Sequence, residues 1–192
     1  MLLGWPIALF PVHIAFLELI IDPVCSVVFE AEKEEKNIMK RKPRRKDERL
    51  FDNATLALSA FRGIVLLAVV AGIYHFALAG GTDEDSARAM AFTSLVLGNL
   101  ALILSSRSQA GTVVETLGSE NKALWVVMGV TLFFLALVLY VPFLQELFKL
   151  APLSIGRLAL CAMAAVAAMV VFEIAKVVKG MRGKQAVAAA SS

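Results

Sequence analysis

The sequence predicts an all-α fold, a polytopic transmembrane helical bundle with five spans, and three observations lead there. Of the 192 residues, 59% are hydrophobic and the mean hydropathy is +0.76, against about 45–50% apolar residues in a soluble domain. The apolar residues fall in long runs separated by short charged stretches, and five of these runs reach the roughly 20 residues needed to cross a bilayer as helix. No run alternates with a period of two, so barrel strands are excluded, and helices that satisfy their own backbone remain.

The first span is expected over about residues 8–29, with Trp5-Pro6 as an interfacial turn and Pro11 at the helix start. Residues 30–52 form a basic loop with nine Lys and Arg, and Pro43 argues against one continuous helix there. The second span covers about 56–79 and ends at Gly80-Gly81; the acidic turn Thr82–Asp85 leads into the third, about 87–105. A polar connection punctuated by Gly111 and Gly118 precedes the fourth span, about 124–144. The linker from Gln145 to Ser154 is short enough for an antiparallel hairpin, and the fifth span is about 155–178. Residues 1–180 thus read as one membrane domain and 181–192 as a disordered, small-residue tail.

Charge asymmetry orients the bundle. One set of loops holds the nine basic residues of 30–52, then Arg107, Lys122, Lys176, Lys179, Arg182 and Lys184. The other holds Arg88, Lys149 and Arg157. The positive-inside rule makes the first set cytoplasmic, so the expected location is the cell membrane, multi-pass, with the N-terminus outside and the C-terminus in the cytoplasm. The basic loop, tethered between spans, reads as a solvated cytoplasmic loop, with contact to anionic lipid headgroups as a secondary role and no nucleic acid as a partner. Cys25 and Cys161 lie in different apolar runs without metal-ligand spacing and read as small, apolar-tolerant residues. An outside N-terminus without a signal peptide fits a chain once preceded by an odd number of spans.

Ionisable groups at membrane depth cost about 2.5–3.5 kcal/mol each on insertion scales. Arg62 and Glu173 lie near span ends and His75 near the outer end, where snorkelling or an interfacial position accounts for them. His13 reads as an interfacial histidine, with contact to a permeating ion as the rival role. Glu18 and Asp22 differ: they lie mid-span, four residues apart, on one helix face. Like charges at that spacing repel, so the pair either holds a proton and hydrogen-bonds to neighbouring helices or binds a cation. Pro23 deprives the Leu19 carbonyl of its helical partner and predicts a kink beside the pair, and freed carbonyls beside carboxylates suit a cation site. Asn99, midway along the third span, fits either a ligand or an interhelical hydrogen bond.

The run Leu9-Phe10-Pro11-Val12-His13-Ile14-Ala15-Phe16-Leu17-Glu18-Leu19-Ile20-Ile21-Asp22 resembles the sixth membrane helix of P-type cation-transporting ATPases, above all the calcium-pump-like group. That family carries an Asn-x-x-Thr-Asp ion-binding motif, matched here by Glu18, Ile21 and Asp22; the Asp is kept, Glu replaces Asn, and Ile replaces Thr. The likeness continues through Phe92–Ser106, similar to the eighth helix, with Asn99 where some calcium pumps carry a carboxylate. Asn121-Lys122-Ala123-Leu124-Trp125 and Leu139-Tyr140-Val141-Pro142 resemble the two ends of the ninth.

The resemblance implies a membrane domain, helices six to ten, that contributes Glu18, Asp22 and Asn99 to a site for Ca²⁺ or another cation. The family's phosphorylation motif DKTGT, its nucleotide-binding lysine motif and its TGDGxND hinge motif do not occur in these 192 residues. No cofactor and no ATPase activity are therefore expected of this chain alone. ATP and Mg²⁺ would belong to a full-length pump, whose N-terminal half is the implied partner beside the bilayer and the cation. The alternative is a stand-alone accessory membrane protein, or a proton or cation pathway, that keeps this fold without the motor.

Overall fold

The computed structural model describes residues 6–21, 23, 26, 30, 53–107 and 122–190, and every element among them is helical. In chain order these are α1 (Pro11–Phe16), a π-helical turn (Leu17–Ile21), α2 (Asn53–Ala79), α3 (Glu84–Arg107), α4 (Lys122–Tyr140), α5 (Pro142–Phe148) and α6 (Ile155–Ala190). Three helices, α2, α3 and α6, are long and apolar enough to cross a membrane, and α4 with α5 makes a fourth if the bent pair is one span. The expected first span appears as the shorter apolar stretch Pro11–Ile20; most of residues 22–29 lie outside the described residues, so five spans are not all seen.

Packing centres on α3, which lies between α2 and α6. Its buried residues are mostly small: Ala87, Ala89, Ala91, Thr93, Ser94, Gly98, Ala101 and Ser105. Lipid tails are as apolar as leucine, so small residues that admit close van der Waals contact are what draws membrane helices together. At Gly98 the approach is close, since a Cβ there would lie 2.2 Å from Leu66 Cδ1 of α2. The partner helices answer with stripes at helical spacing: Leu66, Val70, Tyr74 and Ala77 on α2, and Cys161, Ala165, Ala168 and Phe172 on α6. Cys161 is buried, with Sγ donating to the Met90 carbonyl at 3.5 Å, a core residue as its sequence context implies; Cys25 lies outside the described residues.

Two boundaries are set by local chemistry. The α2 end is a Schellman arrangement: Thr82 N–H donates to Ala77 O at 3.1 Å and Gly81 N–H to Leu78 O at 3.0 Å, and Gly81 takes the required positive φ of 73°. Asp83 then caps α3, its Oδ2 accepting from Ser86 N–H at 2.9 Å.

The fourth span departs from expectation. A continuous helix over 124–144 is not formed: α4 stops at Tyr140, and α5 sets off at 88° to it. Pro142 disfavours helical geometry at Val141, which is extended at φ −88°, ψ 118°, and then serves as the first residue of α5. A short helix therefore occupies the start of what the sequence reads as a plain hairpin linker, ending at left-handed Lys149. α6 in turn runs past Val178, through the stretch expected to be disordered, to Ala190.

Two outcomes follow from this packing. Gly98→Ala should destabilise the bundle by about 1–2 kcal/mol in SDS-titrated unfolding, and Leu66→Ala in the same chain should recover part of that loss; strict additivity would contradict the close approach. The Ser86 N–H holds the Asp83 carboxyl below its usual range, so its cap stabilisation is present above the unfolded-state value and is lost as pH falls through the folded one. Asp83→Asn, which keeps the cap, should flatten the acid side of the stability profile.

Candidate cation site and its support

Glu18 lies in the π-helical turn, one residue past the point where α1 widens. Single π turns inside helices frequently mark functional sites, because they shift the hydrogen-bond register by one residue. That shift is also a way to spare a carbonyl from an absent proline N–H, so the predicted distortion before Pro23 takes the form of a wider turn within Leu17–Ile21.

The burial pattern divides the segment into two faces. His13 and Phe16 are buried, with Leu9, Val12, Leu17 and Ile20 packed against the core. Pro11, Ile14, Ala15, Glu18 and Leu19 are exposed, Leu19 to 77%. Glu18 thus sits on a stripe that the rest of the described chain leaves uncovered. Asp22 lies outside the described residues. Asn99 is half-buried midway along α3, and no hydrogen bond joins it to Glu18 among the described residues. Nor, among them, do three or more His, Cys, Asp and Glu side chains gather closely enough to hold a metal ion. The sequence-predicted ligands are therefore not assembled into a site by the described chain.

His13 is not positioned to meet a permeating ion. It is fully buried, its ring 5.0 Å from Phe92 and 5.6 Å from Phe148 between centroids, and Phe16 closes the cluster at 5.4 Å and 5.9 Å from the same two rings. Its Nδ1 accepts the Phe10 N–H at 2.8 Å, which satisfies one of the orphan donors at the start of α1. Nε2 is buried and has no hydrogen-bond partner among the described residues. Histidine here orients the helix that carries Glu18.

Arg88 supplies the larger part of that support. Counted in the sequence as a loop charge, it is instead 4% exposed within α3. Its Nε donates to Ile7 O at 3.1 Å, and Nη1 donates to Lys149 O at 2.7 Å and to the Asp85 carboxylate. Its guanidinium lies 4.7 Å from the Phe10 ring centroid, a cation–π contact. Tyr74 OH adds a bond to Pro6 O at 3.1 Å. The stretch before α1, the end of α5 and the start of α3 are thus tied at one point. Acidic residues at 84 and 85, three and four positions before Arg88, were the available signal for a buried, paired arginine.

The other end of the bundle carries a second polar group. Arg62 Nη1 donates to Ser106 Oγ at 3.2 Å, Ser105 Oγ donates to Glu173 Oε1 at 2.9 Å, and Lys176 pairs with Glu173 at 2.9 Å. Arg62 and Glu173, expected to snorkel, are held between helices. His75 is exposed.

A helical membrane domain with a carboxylate-bearing π turn on an open face is the class that fold and site define. Residues 6–178 match the family described as cation transporting ATPase, C-terminus, and the chain belongs to that family. It is similar to calcium-transporting ATPase 1 of Lactococcus lactis, 30% identical over 152 residues, which cover 78% of this chain and 17% of that protein. A calcium-transporting ATPase of Listeria monocytogenes is 30% identical over 161 residues (81% and 17%), and calcium-transporting ATPase 1 of Bacillus cereus is 28% identical over 172 (80% and 19%). The chain spans under a fifth of the length of these relatives.

Replacing Arg88 by Met should cost about 2–4 kcal/mol, because the Ile7 and Lys149 carbonyls lose their donor in a dry setting. Lys at that position, a point charge without the fork, should fall between. SDS-titrated unfolding measures both, and equal stability of Met, Lys and Arg would contradict the tie.

Proposed function

We propose that this chain forms the C-terminal membrane part of a P-type cation pump and contributes Glu18, Asp22 and Asn99 to the transmembrane site for Ca²⁺ or another divalent cation. The observation that carries the reading is Glu18, a carboxylate in a π-helical turn within an apolar helix, on a face that the described residues leave open. An ionised group at membrane depth is costly unless a partner or cation meets it, and a hard cation wants several oxygens. The remaining ligands would come from helices outside this chain, in the half of the pump that is its partner. The names of the similar proteins supply calcium as the first ion to test. ATP hydrolysis, with its Mg²⁺, belongs to that other half, and the basic end of the bundle would face the cytoplasm.

Within the assembled pump, Glu18→Gln and Asp22→Asn should each abolish Ca²⁺-dependent phosphorylation from ATP. Both remove a charge while keeping size, so folding is little disturbed. Asn99→Ala should lower the apparent Ca²⁺ affinity severalfold without abolishing phosphorylation. Unchanged ion dependence in the two carboxylate variants would overturn the assignment.

A further inference from the structure

Helix α5 begins where a span stops. α4 has 19 residues, ~28 Å of helix, which nearly matches the ~30 Å hydrocarbon core without any help from α5. Trp125 and Tyr140 stand exposed near its two ends, as aromatic residues do at the two headgroup levels. The 88° bend after Tyr140 turns α5 out of the spanning direction and into the plane of the bilayer. Its far end lies at the same level. Lys149 O accepts from Arg88 Nη1 at 2.7 Å, and Ala151 N–H donates to Asp85 O at 3.3 Å. Both contacts are at the start of α3, where Glu84 and Asp85 are exposed. α5 therefore enters and leaves at one surface of the membrane.

The helix is also two-sided. At about 100° per residue, Phe143, Leu147, Leu144 and Phe148 fill one arc of about 140°, and Gln145 and Glu146 fall on the other side. One edge of the apolar arc is turned to the bundle: Phe148 is buried in the aromatic cluster and Leu144 packs against the core. The other edge is open, with Phe143 74% and Leu147 54% exposed, one helical turn apart. On the polar side Glu146 is exposed, and Gln145 Nε2 donates to Leu139 O at 2.6 Å. Polar groups on one side and a wide apolar arc on the other are what a helix lying in the interface requires, its apolar face sunk ~5–10 Å into the boundary of headgroups and acyl chains.

We propose that α5 is an in-plane interfacial anchor whose Phe143 and Leu147 insert into the acyl-chain boundary of the leaflet at this end of the bundle. The occupant of the stripe is lipid because of where the stripe lies. Exposed apolar residues run along α4 through Phe133 and Phe134 to Tyr140 and resume at Phe143, so the stripe extends the surface that α4 presents to the bilayer. The anchor is separate from Glu18 and does not depend on the transport reading.

Tryptophan fluorescence of the full chain in phosphatidylcholine nanodiscs tests it, in a background of Trp5→Phe and Trp125→Phe. Phe143→Trp and Leu147→Trp should each be quenched about twofold more by lipid brominated high on the acyl chain than by lipid brominated near its end. Aqueous acrylamide should quench both only weakly. Far-UV circular dichroism verifies helix content, and if one variant loses it the other decides. Stronger quenching by the deep bromines would make α5 re-entrant, and ready quenching by acrylamide without any by bromolipid would turn the stripe to water; either overturns the proposal. Bromolipid quenching that is lost once the rest of a pump is assembled around the chain would assign the stripe to another protein segment, and overturns it as well.

Discussion

Arg88 is a cation buried in the start of α3, and the placement of the candidate site depends on how its donors are used. Removing a guanidinium from water is tolerable only when its N–H groups find acceptors, and here the acceptors are backbone carbonyls of Ile7 and Lys149 together with Asp85. Those carbonyls belong to segments far apart in sequence. Satisfying one charge therefore fixes the approach to α1 against the end of α5, and with it the direction from which α1 runs toward Glu18. The aromatic cluster of His13, Phe16, Phe92 and Phe148 continues the same constraint along the helix. A helix packed on one face by aromatic rings has little freedom to rotate, so the opposite face, with Glu18, stays turned outward.

The rest of the bundle follows from the composition of α3. Its small residues allow α2 and α6 close on either side, whereas α4 packs more loosely and leaves an apolar cleft. The two ends differ in chemistry. At one, Arg88 and Tyr74 spend their donors on backbone carbonyls; at the other, Arg62, Glu173 and Lys176 use side chains on three helices. The first arrangement is closed and structural. The second is built from side chains of α2, α3 and α6 and joins those three helices at that end.

Much of this was legible in the sequence, for physical reasons. Long apolar runs report helices because the bilayer permits few alternatives, and the limits at Ala79 and near Ser105 agree with the glycine turn and the polar residues that mark them. Pro23 announced a distortion beside Glu18, although the choice of a π turn over a kink depends on how neighbouring residues pack. Pro142 carried the same kind of signal at the end of α4, masked there by the apolar residues on both sides of it. Arg88 was misread as a loop charge because hydropathy weighs a residue by type and ignores its acceptors. For His13, no periodicity indicates that three phenylalanines from three helical segments surround it. The relation of Glu18 to Asn99 was not legible, since spacing along the chain says nothing of how two helices about eighty residues apart approach one another.

In the proposed pump, Glu18 faces the bound cation. Labelling of the assembled membrane protein with a hydrophobic carbodiimide, followed by peptide mapping, reads the state of that carboxyl directly, because such reagents modify protonated carboxylic acids within apolar surroundings. Modification at Glu18 in the absence of Ca²⁺, and protection of that residue at saturating Ca²⁺, is the predicted result. Equal modification with and without Ca²⁺, alongside Ca²⁺-dependent phosphorylation in the same preparation, would place the cation elsewhere and contradict the assignment.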